Sequence, residues 1–275
     1  MSRIAVVQMT SRADWPGNQA IARRLLAEAA DAGAALVVLP ENLAIMGHRE
    51  ADKLALAEPP GHGPIQDFLA EQAARHGLWI VGGTIPERTG DGERVLAACP
   101  VYDAQGRERA RYHKIHLFDV FLRGGEEVYR ESATVQPGRQ VVTLDTPVGR
   151  LGLAVCYDIR FPELFRLLAE QGAEVVALPA AFTVPTGMAH WDVLLRARAI
   201  ENLFYVAAAA QAGEHENGRK TWGHSLVAGP WGNVLAERAE GEGIVVADIE
   251  LEEIRRRRAS IPCLEHRRFH CDWTN

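Results

Sequence analysis

Two stretches of this chain repeat one pattern. Gly33–Glu41 reads GAALVVLPE and Gly172–Ala180 reads GAEVVALPA. Each is an unbroken apolar run that closes on Leu-Pro. Each follows an alanine- and leucine-rich segment with helical spacing, and each of those segments follows an earlier apolar run, Ile4–Gln8 or Leu151–Val155. Strands that alternate apolar and polar residues have one wet face. Strands without alternation are covered on both faces, as in sheets flanked by helices. The repeat therefore predicts two strand–helix–strand units related by a pseudo-twofold, with two sheets face to face and helices outside, an α/β fold. The repeat distance is far too long for a solenoid. No linker or low-complexity segment divides residues 1–275, so one domain is expected, with a tail over about 259–275.

Ligands of α/β sheets collect at the carboxyl ends of strands. In the first unit that end carries a carboxylate, Glu41. In the second, the run Leu151–Val155 stops at Cys156, and a helix-like stretch follows with Pro162 where a first helical turn tolerates proline. Unpaired N–H groups and the positive end of a helix dipole at such a turn favour a thiolate and any oxyanion beside it. A buried core cysteine is the plain alternative for Cys156, and a capping or solvated carboxylate for Glu41. Lys114, in Tyr112-His113-Lys114-Ile115-His116, sits between aromatic and aliphatic residues at a strand end and is a third candidate; the alternative is an exposed edge lysine. Together the three residues fit nucleophilic attack by Cys156 on a carbonyl carbon. Glu41 would move the proton, and Lys114 and the N–H of Tyr157 would hold the oxyanion.

The other elements read as follows. Helices are expected over Asn18–Ala32, Ile65–His76, Ala189–Asn202 and from Leu251. Strands are expected at Leu78–Ile85, Val95–Tyr102, Arg107–His113, Val141–Leu144, Phe204–Ala210, Ser225–Ala228, Asn233–Ala236 and Ile244–Ile249. Residues 115–139 have no clear period and read as a long functional connection. The tail from Ile261 reads as extended.

Three blocks carry a resemblance: Leu39-Pro40-Glu41-Asn42, Tyr112 to Asp119, and Cys156-Tyr157-Asp158-Ile159-Arg160-Phe161-Pro162-Glu163-Leu164. In this order they resemble the signatures of the nitrilase superfamily of carbon–nitrogen hydrolases. The resemblance implies a four-layer αββα sandwich that assembles as a homodimer, and a Cys156–Glu41–Lys114 triad. It implies a thioester acyl-enzyme, release of ammonia from an amide, and no cofactor. It also implies a second active-site glutamate downstream of the lysine. Glu131 matches best, with Glu126 and Glu127 as rivals. His190 to Glu201, Trp222-Gly223-His224-Ser225, Gly229-Pro230-Trp231-Gly232 and His266-Arg267-Arg268 resemble the Nit amidase branch, and within it the deaminated glutathione amidases. The omega-amidases are the sister group. Both substrates are small carboxylated amides. Arg160, one turn after Cys156, is the candidate to meet a carboxylate, or else forms a structural ion pair; Phe182 and Thr183 are further pocket candidates. A nitrilase proper, an N-carbamoyl amidase and a non-catalytic scaffold of the same fold are the rivals.

Bulk properties exclude some classes. The formal net charge is −6, which gives no general pull toward nucleic acid or anionic membrane. Arg255–Arg258 follow Glu252 and Glu253 and read as a solvated helix end. No apolar run approaches the ~20 residues of a membrane span. Four irregularly spaced cysteines fit a reducing compartment, and a cytoplasmic location is expected. Cys263, His266, His270 and Cys271 lack a usual zinc spacing, so no metal is expected. Ser225 lacks the second glycine of a serine elbow.

Overall fold

A computed structural model describes residues 2–90, 92–122 and 127–270. The first half of the chain runs β1 (Ser2–Gln8), α1 (Trp15–Asp31), β2 (Leu36–Val38), α2 (Asp52–Ala55), α3 (Pro64–His76), β3 (Trp79–Val81), β4 (Ile85–Arg88), β5 (Val95–Tyr102) and β6 (Glu108–His113). Next come β7 (Asp119–Leu122), β8 (Glu127–Arg130) and β9 (Val135–Gln136). The second half runs β10 (Thr143–Thr146), β11 (Gly149–Leu153), α4 (Pro162–Glu170), β12 (Val175–Ala180), α5 (Val184–Asn202) and β13 (Tyr205–Ala210). It ends with β14 (Ala212–Glu214), β15 (Lys220–Trp222), β16 (Ser225–Ala228), β17 (Val234–Arg238), β18 (Gly243–Ile249) and α6 (Leu251–Ser260).

The repeat is visible as two matching units. β1 pairs parallel with β2 across α1, with Ile4 opposite Leu36. β11 pairs parallel with β12 across α4, with Leu151 opposite Val175. The first sheet has strand order β18-β1-β2-β3-β5-β4, with β6 and β9 also on β5; the second has order β10-β11-β12-β13-β16-β17. Alternate side chains of one strand enter different layers. Ile4 and Val6 share a core with Leu151, Leu153, Val175 and Ala207 between the sheets. Ala5 and Val7 instead pack with Leu25, Leu26, Phe68 and Leu69 of α1 and α3. On the far side, Phe165 and Leu168 of α4 and Trp191 and Leu195 of α5 cover the second sheet. The layers are helix, sheet, sheet, helix, and the central strands β2, β12 and β13 are buried on both faces, which explains their missing alternation.

Local differences from the sequence expectations have physical causes. The run Leu78–Ile85 is two strands, because Gly82-Gly83 interrupt it and Gly83 has φ +65°. The run before Cys156 leaves the sheet after Leu153; Val155 is drawn into a turn by its N–H bond to Asp158 Oδ2 (2.8 Å). Residues 115–139 contain the β7–β8 hairpin and β9, whose short strands are too brief to show a period; Gly124, Gly125 and Glu126 of this stretch lie outside the described residues. The hairpin β14–β15 was not legible at all. The segment after Ile261 is not extended but turns at Pro262, with Glu265 N–H bonded to the Pro262 carbonyl (3.0 Å) and Leu264 packed on the core. The arginines of α6 pair along their own helix, Arg255 with Glu252 (2.9 Å) and Arg257 with Glu253 (2.6 Å).

Candidate active site

The ends of β2 and β11 lie side by side, and each chain bends there in the same way. Asn42, after Glu41, has φ +58°, and Cys156 has φ +48°. Positive φ in a residue other than glycine persists only where surroundings hold it, and such positions gather at functional sites. At Cys156 the holding group is Asp158, in a 3-10 turn over Cys156–Arg160. Its Oδ2 accepts from Val155 N–H and from Tyr112 O–H (2.7 Å). Its Oδ1 accepts from His116 N–H (3.0 Å) and bonds His116 Nδ1 (2.7 Å). One fully buried carboxylate therefore ties the cysteine turn to both flanks of Lys114. At Glu41 the turn is held by Asn42 N–H on Thr84 Oγ1 (2.8 Å) and by Gln211 Nε2 on the Glu41 carbonyl (2.8 Å).

Two glycines let backbone approach the strand ends closely. A side chain on Gly83 would sit 2.1 Å from the Pro40 carbonyl oxygen, and one on Gly138 would sit 2.1 Å from that of His113. Gly138 N–H also bonds the Lys114 carbonyl (2.8 Å). Both residues that precede the acid–base groups are thus braced by main chain.

Lys114 is only 2% exposed and lies at the centre of the cluster. Its Nζ donates to Glu41 Oε1 (2.7 Å) and to Glu131 Oε2 and Oε1 (2.8 and 3.0 Å). Glu131, in a 3-10 turn, also accepts from Phe118 N–H (2.7 Å). Among the rivals considered for the second glutamate, Glu126 lies outside the described residues, and Glu131 is the carboxylate in contact with the lysine. The Cys156 thiol lies beside Glu41 and the Ala181 N–H, both of which act on its titration.

Burial and charge set the protonation states. Burial alone would push Glu41 up, but the Lys114 charge, hydrogen bonds from Lys114 and Cys156, and Arg219 together hold it below the usual carboxylate value of 4.5. Burial alone would lower Lys114, yet Glu131 and Glu41 hold it well above the usual value of 10.5. The Cys156 thiol is pushed well above 9.0 by burial and by the Glu41 carboxylate, against the pull of Lys114 and the Ala181 N–H. The turn and the cation do not leave a resting thiolate here. These directions favour thiol, carboxylate and ammonium, an arrangement in which a thiol attacking a carbonyl could pass its proton to Glu41.

All four groups open into a cavity of about 400 Å³, within the range of small-molecule sites. Tyr157, Phe182 and Thr183 also line it. Phe182 packs on Trp191 (centroids 4.8 Å apart), and Thr183 Oγ1 bonds Thr186 Oγ1 (2.9 Å). Arg160 does not line the cavity. Its guanidinium lies over the rings of Tyr157 (5.9 Å) and Phe182 (5.7 Å) and contacts His190 Nδ1 (3.2 Å). Among the described residues Arg160 forms no structural ion pair with Asp158, Glu163 or another acid. Cys271 of the other cysteine–histidine set lies outside the described residues.

Sequence reasoning missed several lining residues: Glu50 just before α2 and Lys53 within it, Tyr129 and Arg130 from β8, and Arg219 from the β14–β15 hairpin. The only signal for Arg219 was Asn217-Gly218, a turn pair immediately before it. The hairpin is anchored by buried His215, whose Nδ1–H donates to the Ser11 carbonyl (2.9 Å) while Nε2 accepts from Thr221 O–H (2.8 Å). Burial pushes this histidine below 6.5, which matches its neutral role.

A family model described as carbon-nitrogen hydrolase matches residues 3–259. The chain is 40% identical over 269 residues to the deaminated glutathione amidase of Yersinia enterocolitica, which spans 98% of this chain and 93% of that one. It is 38% identical over 268 residues to the chloroplastic omega-amidase of Arabidopsis thaliana, across 96% of this chain and 72% of that one. The C. elegans NitFhit crystal structure superposes with a TM-score of 0.91 at 38% identity, covering 97% of this chain; the chain spans 65% of that longer protein. The chain belongs to the carbon-nitrogen hydrolase family and is a hydrolase of carbon–nitrogen bonds.

Proposed function

We propose that the protein is an amidase working through Cys156, Glu41 and Lys114, with Glu131 positioning the lysine, and that its substrate is deaminated glutathione. The observation that carries this reading is the buried contact of Lys114 with Glu41 and Glu131 beside the Cys156 thiol in one cavity. Glu41 takes the thiol proton as sulfur adds to the amide carbon. Lys114 and the N–H of Tyr157 at the start of the 3-10 turn stabilise the oxyanion. Glu41 then gives its proton to the amine nitrogen, the carbon–nitrogen bond breaks, and a thioester remains. Glu41 next accepts a proton from water, which adds to the thioester carbon. The acid leaves, and the sulfur regains its proton from Glu41. Ammonia is the amine product when the amide is primary, as in 2-oxoglutaramate. For deaminated glutathione the amide is secondary, and the freed amine belongs to a dipeptide.

Named relatives of both kinds, deaminated glutathione amidase and omega-amidase, support a small 2-oxo acid amide as substrate. The higher identity and the longer shared length with the former favour deaminated glutathione. The decisive experiment compares kcat/KM on deaminated glutathione and 2-oxoglutaramate, with Cys156→Ala as control. The wild type is expected to prefer deaminated glutathione, and the variant to lose at least about 10³-fold on either substrate. Undiminished turnover by Cys156→Ala overturns the mechanism. A strong preference for 2-oxoglutaramate overturns the substrate, in favour of omega-amidase.

The same reading includes one hydrolase domain, a homodimer and a cytoplasmic site of action. Exposed Met188, Val193 and Ile200 on α5, with Trp231 and Leu235 nearby in sequence to β17, support a covered face. Unpaired thiols at Cys99, Cys156 and Cys263 suit a reducing compartment. Among the described residues no helix is long and apolar enough to cross a membrane.

A further inference from the structure

The cavity holds more positive charge than its acid–base cluster needs. Lys114 is enclosed by Glu41 and Glu131, Lys53 is held by Glu50 (2.8 Å), and Arg49 by Asp52 (3.3 Å). Arg219 differs. Among the described residues no carboxylate pairs with it. One Nη2–H donates to the Ala181 carbonyl (2.9 Å), and the guanidinium lies 5.4 Å from the centre of the Tyr129 ring. Its Nε–H is buried with no hydrogen-bond partner. A buried donor left unmade costs free energy, and a planar guanidinium fork is shaped to take a carboxylate on two N–H groups. Aromatic stacking holds its plane while leaving its edge free for a ligand.

Its position is informative. The hairpin that carries it is fixed to the body of the protein by His215, and Asn217, Gly218 and Arg219 all line the cavity. Gly218 is exposed, whereas Cys156 is 7% exposed, so the hairpin forms the rim and the cysteine the floor. Arg219 contributes to holding both Glu41 and Glu50 low, so its charge is felt on the Glu41 side of the floor. Glu41 is the group that hands a proton to the departing amine, which puts the leaving group on that side.

We infer that Arg219 is a specificity-determining residue that binds a carboxylate on the leaving-group side of a dicarboxylated amide. The inference rests on the amidase reading above and sharpens its substrate. Deaminated glutathione ends its leaving dipeptide in a carboxylate. 2-Oxoglutaramate loses only ammonia and has no anion there. Arg219 would thus separate the two substrates without touching the reacting atoms.

The test uses the full-length protein with Arg219→Gln, which keeps a donor for the Ala181 carbonyl but removes the charge, and Arg219→Lys, which keeps the charge but not the fork. The ratio of kcat/KM for deaminated glutathione over 2-oxoglutaramate is expected to fall at least about tenfold in Arg219→Gln, mainly through KM, and less in Arg219→Lys. Equal losses on both substrates, or none, overturn the inference. Direct titration of deaminated glutathione onto Cys156→Ala and onto Cys156→Ala/Arg219→Gln gives a readout free of turnover, and the second protein is expected to bind at least about tenfold more weakly. If the wild type hydrolyses neither amide yet binding weakens as expected, the amidase reading fails while the role of Arg219 stands. If binding is the same in both proteins, the role of Arg219 fails whatever the turnover.

Discussion

Lys114 is a cation enclosed by Glu41 and Glu131 beside the Cys156 thiol, and in the proposed mechanism that enclosure sets the direction of proton flow. Glu41 is held low and Cys156 is held high, so the pair stores its proton on sulfur until a carbonyl arrives. The sign of the pH dependence follows. Glu41 is depressed below 4.5, so the working carboxylate is present above the ordinary carboxylate range and is lost only as pH falls through its lowered value. Lys114 and Cys156 are both raised, so the ammonium and the thiol persist past the ordinary thiol value of 9.0. kcat/KM is expected to be flat from about pH 5 to about pH 9, with an acid limb set by Glu41. A free-enzyme limb near neutrality in a pH–rate profile contradicts this charge arrangement. Legibility differed among these residues. Glu41 and Cys156 stood out because each ends an apolar run. Lys114 was marked only by its aromatic and aliphatic neighbours. Glu131 had nearby acidic rivals, and only its fold-brought contact with Lys114 separates it from them. Arg160, four residues after Cys156, lies over the Tyr157 and Phe182 rings and does not line the cavity, whereas Arg219, far away in sequence, does.

At the scale of elements, the site is a pair of strand ends held in unusual backbone by their neighbours. β2 delivers Glu41 and β11 delivers Cys156, but neither strand alone fixes the side chain. Gly83, just after β3, presses on Pro40, and Gly138, just after β9, presses on His113. Gly83→Ala combines a positive φ (+65°) with a Cβ placed 2.1 Å from the Pro40 oxygen. The substitution is expected to cost about 1–3 kcal/mol of stability and to lower kcat by displacing Glu41. Denaturant unfolding and steady-state kinetics check this; a variant with wild-type stability and kcat removes Gly83 as a brace. The reading of Leu78–Ile85 as one strand missed this brace, because Gly82-Gly83 lies inside an otherwise strand-like run. The β14–β15 hairpin was missed for a related reason. Three-residue strands carry too few positions to express a period of two, and β14 is Ala-Gly-Glu.

At the scale of the molecule, the two sheets are bound together near the site. Ala212 N–H bonds the Met9 carbonyl (3.0 Å), and Gln211 reaches both Ser11 Oγ (2.6 Å) and the Glu41 carbonyl. Late in the chain, β18 pairs with β1 along its whole length, from Ser2 opposite Ile249 to Gln8 opposite Gly243. The interior is thus closed by segments from both ends of the sequence, while an apolar set on and near α5 faces outward. Covering that set is the expected role of the second copy. Sedimentation velocity should give twice the chain mass, and Met188→Glu with Trp231→Glu should raise the dimer dissociation constant at least about tenfold. A monomer at micromolar concentration, or a dimer indifferent to these charges, places the contact elsewhere.

The amino-acid sequence by itself determined the layered α/β architecture and the candidate nucleophile, acid–base carboxylate and lysine. Burial on both faces leaves unbroken apolar runs, and a polar residue at the end of such a run is conspicuous. Tertiary structure alone decided which glutamate meets Lys114, that Cys156 rests as a thiol, and which arginine lines the cavity. Those properties depend on distances of a few ångströms between residues brought together from distant parts of the chain. Coulombic and desolvation effects vary steeply over such distances, while neighbours in sequence say nothing about them.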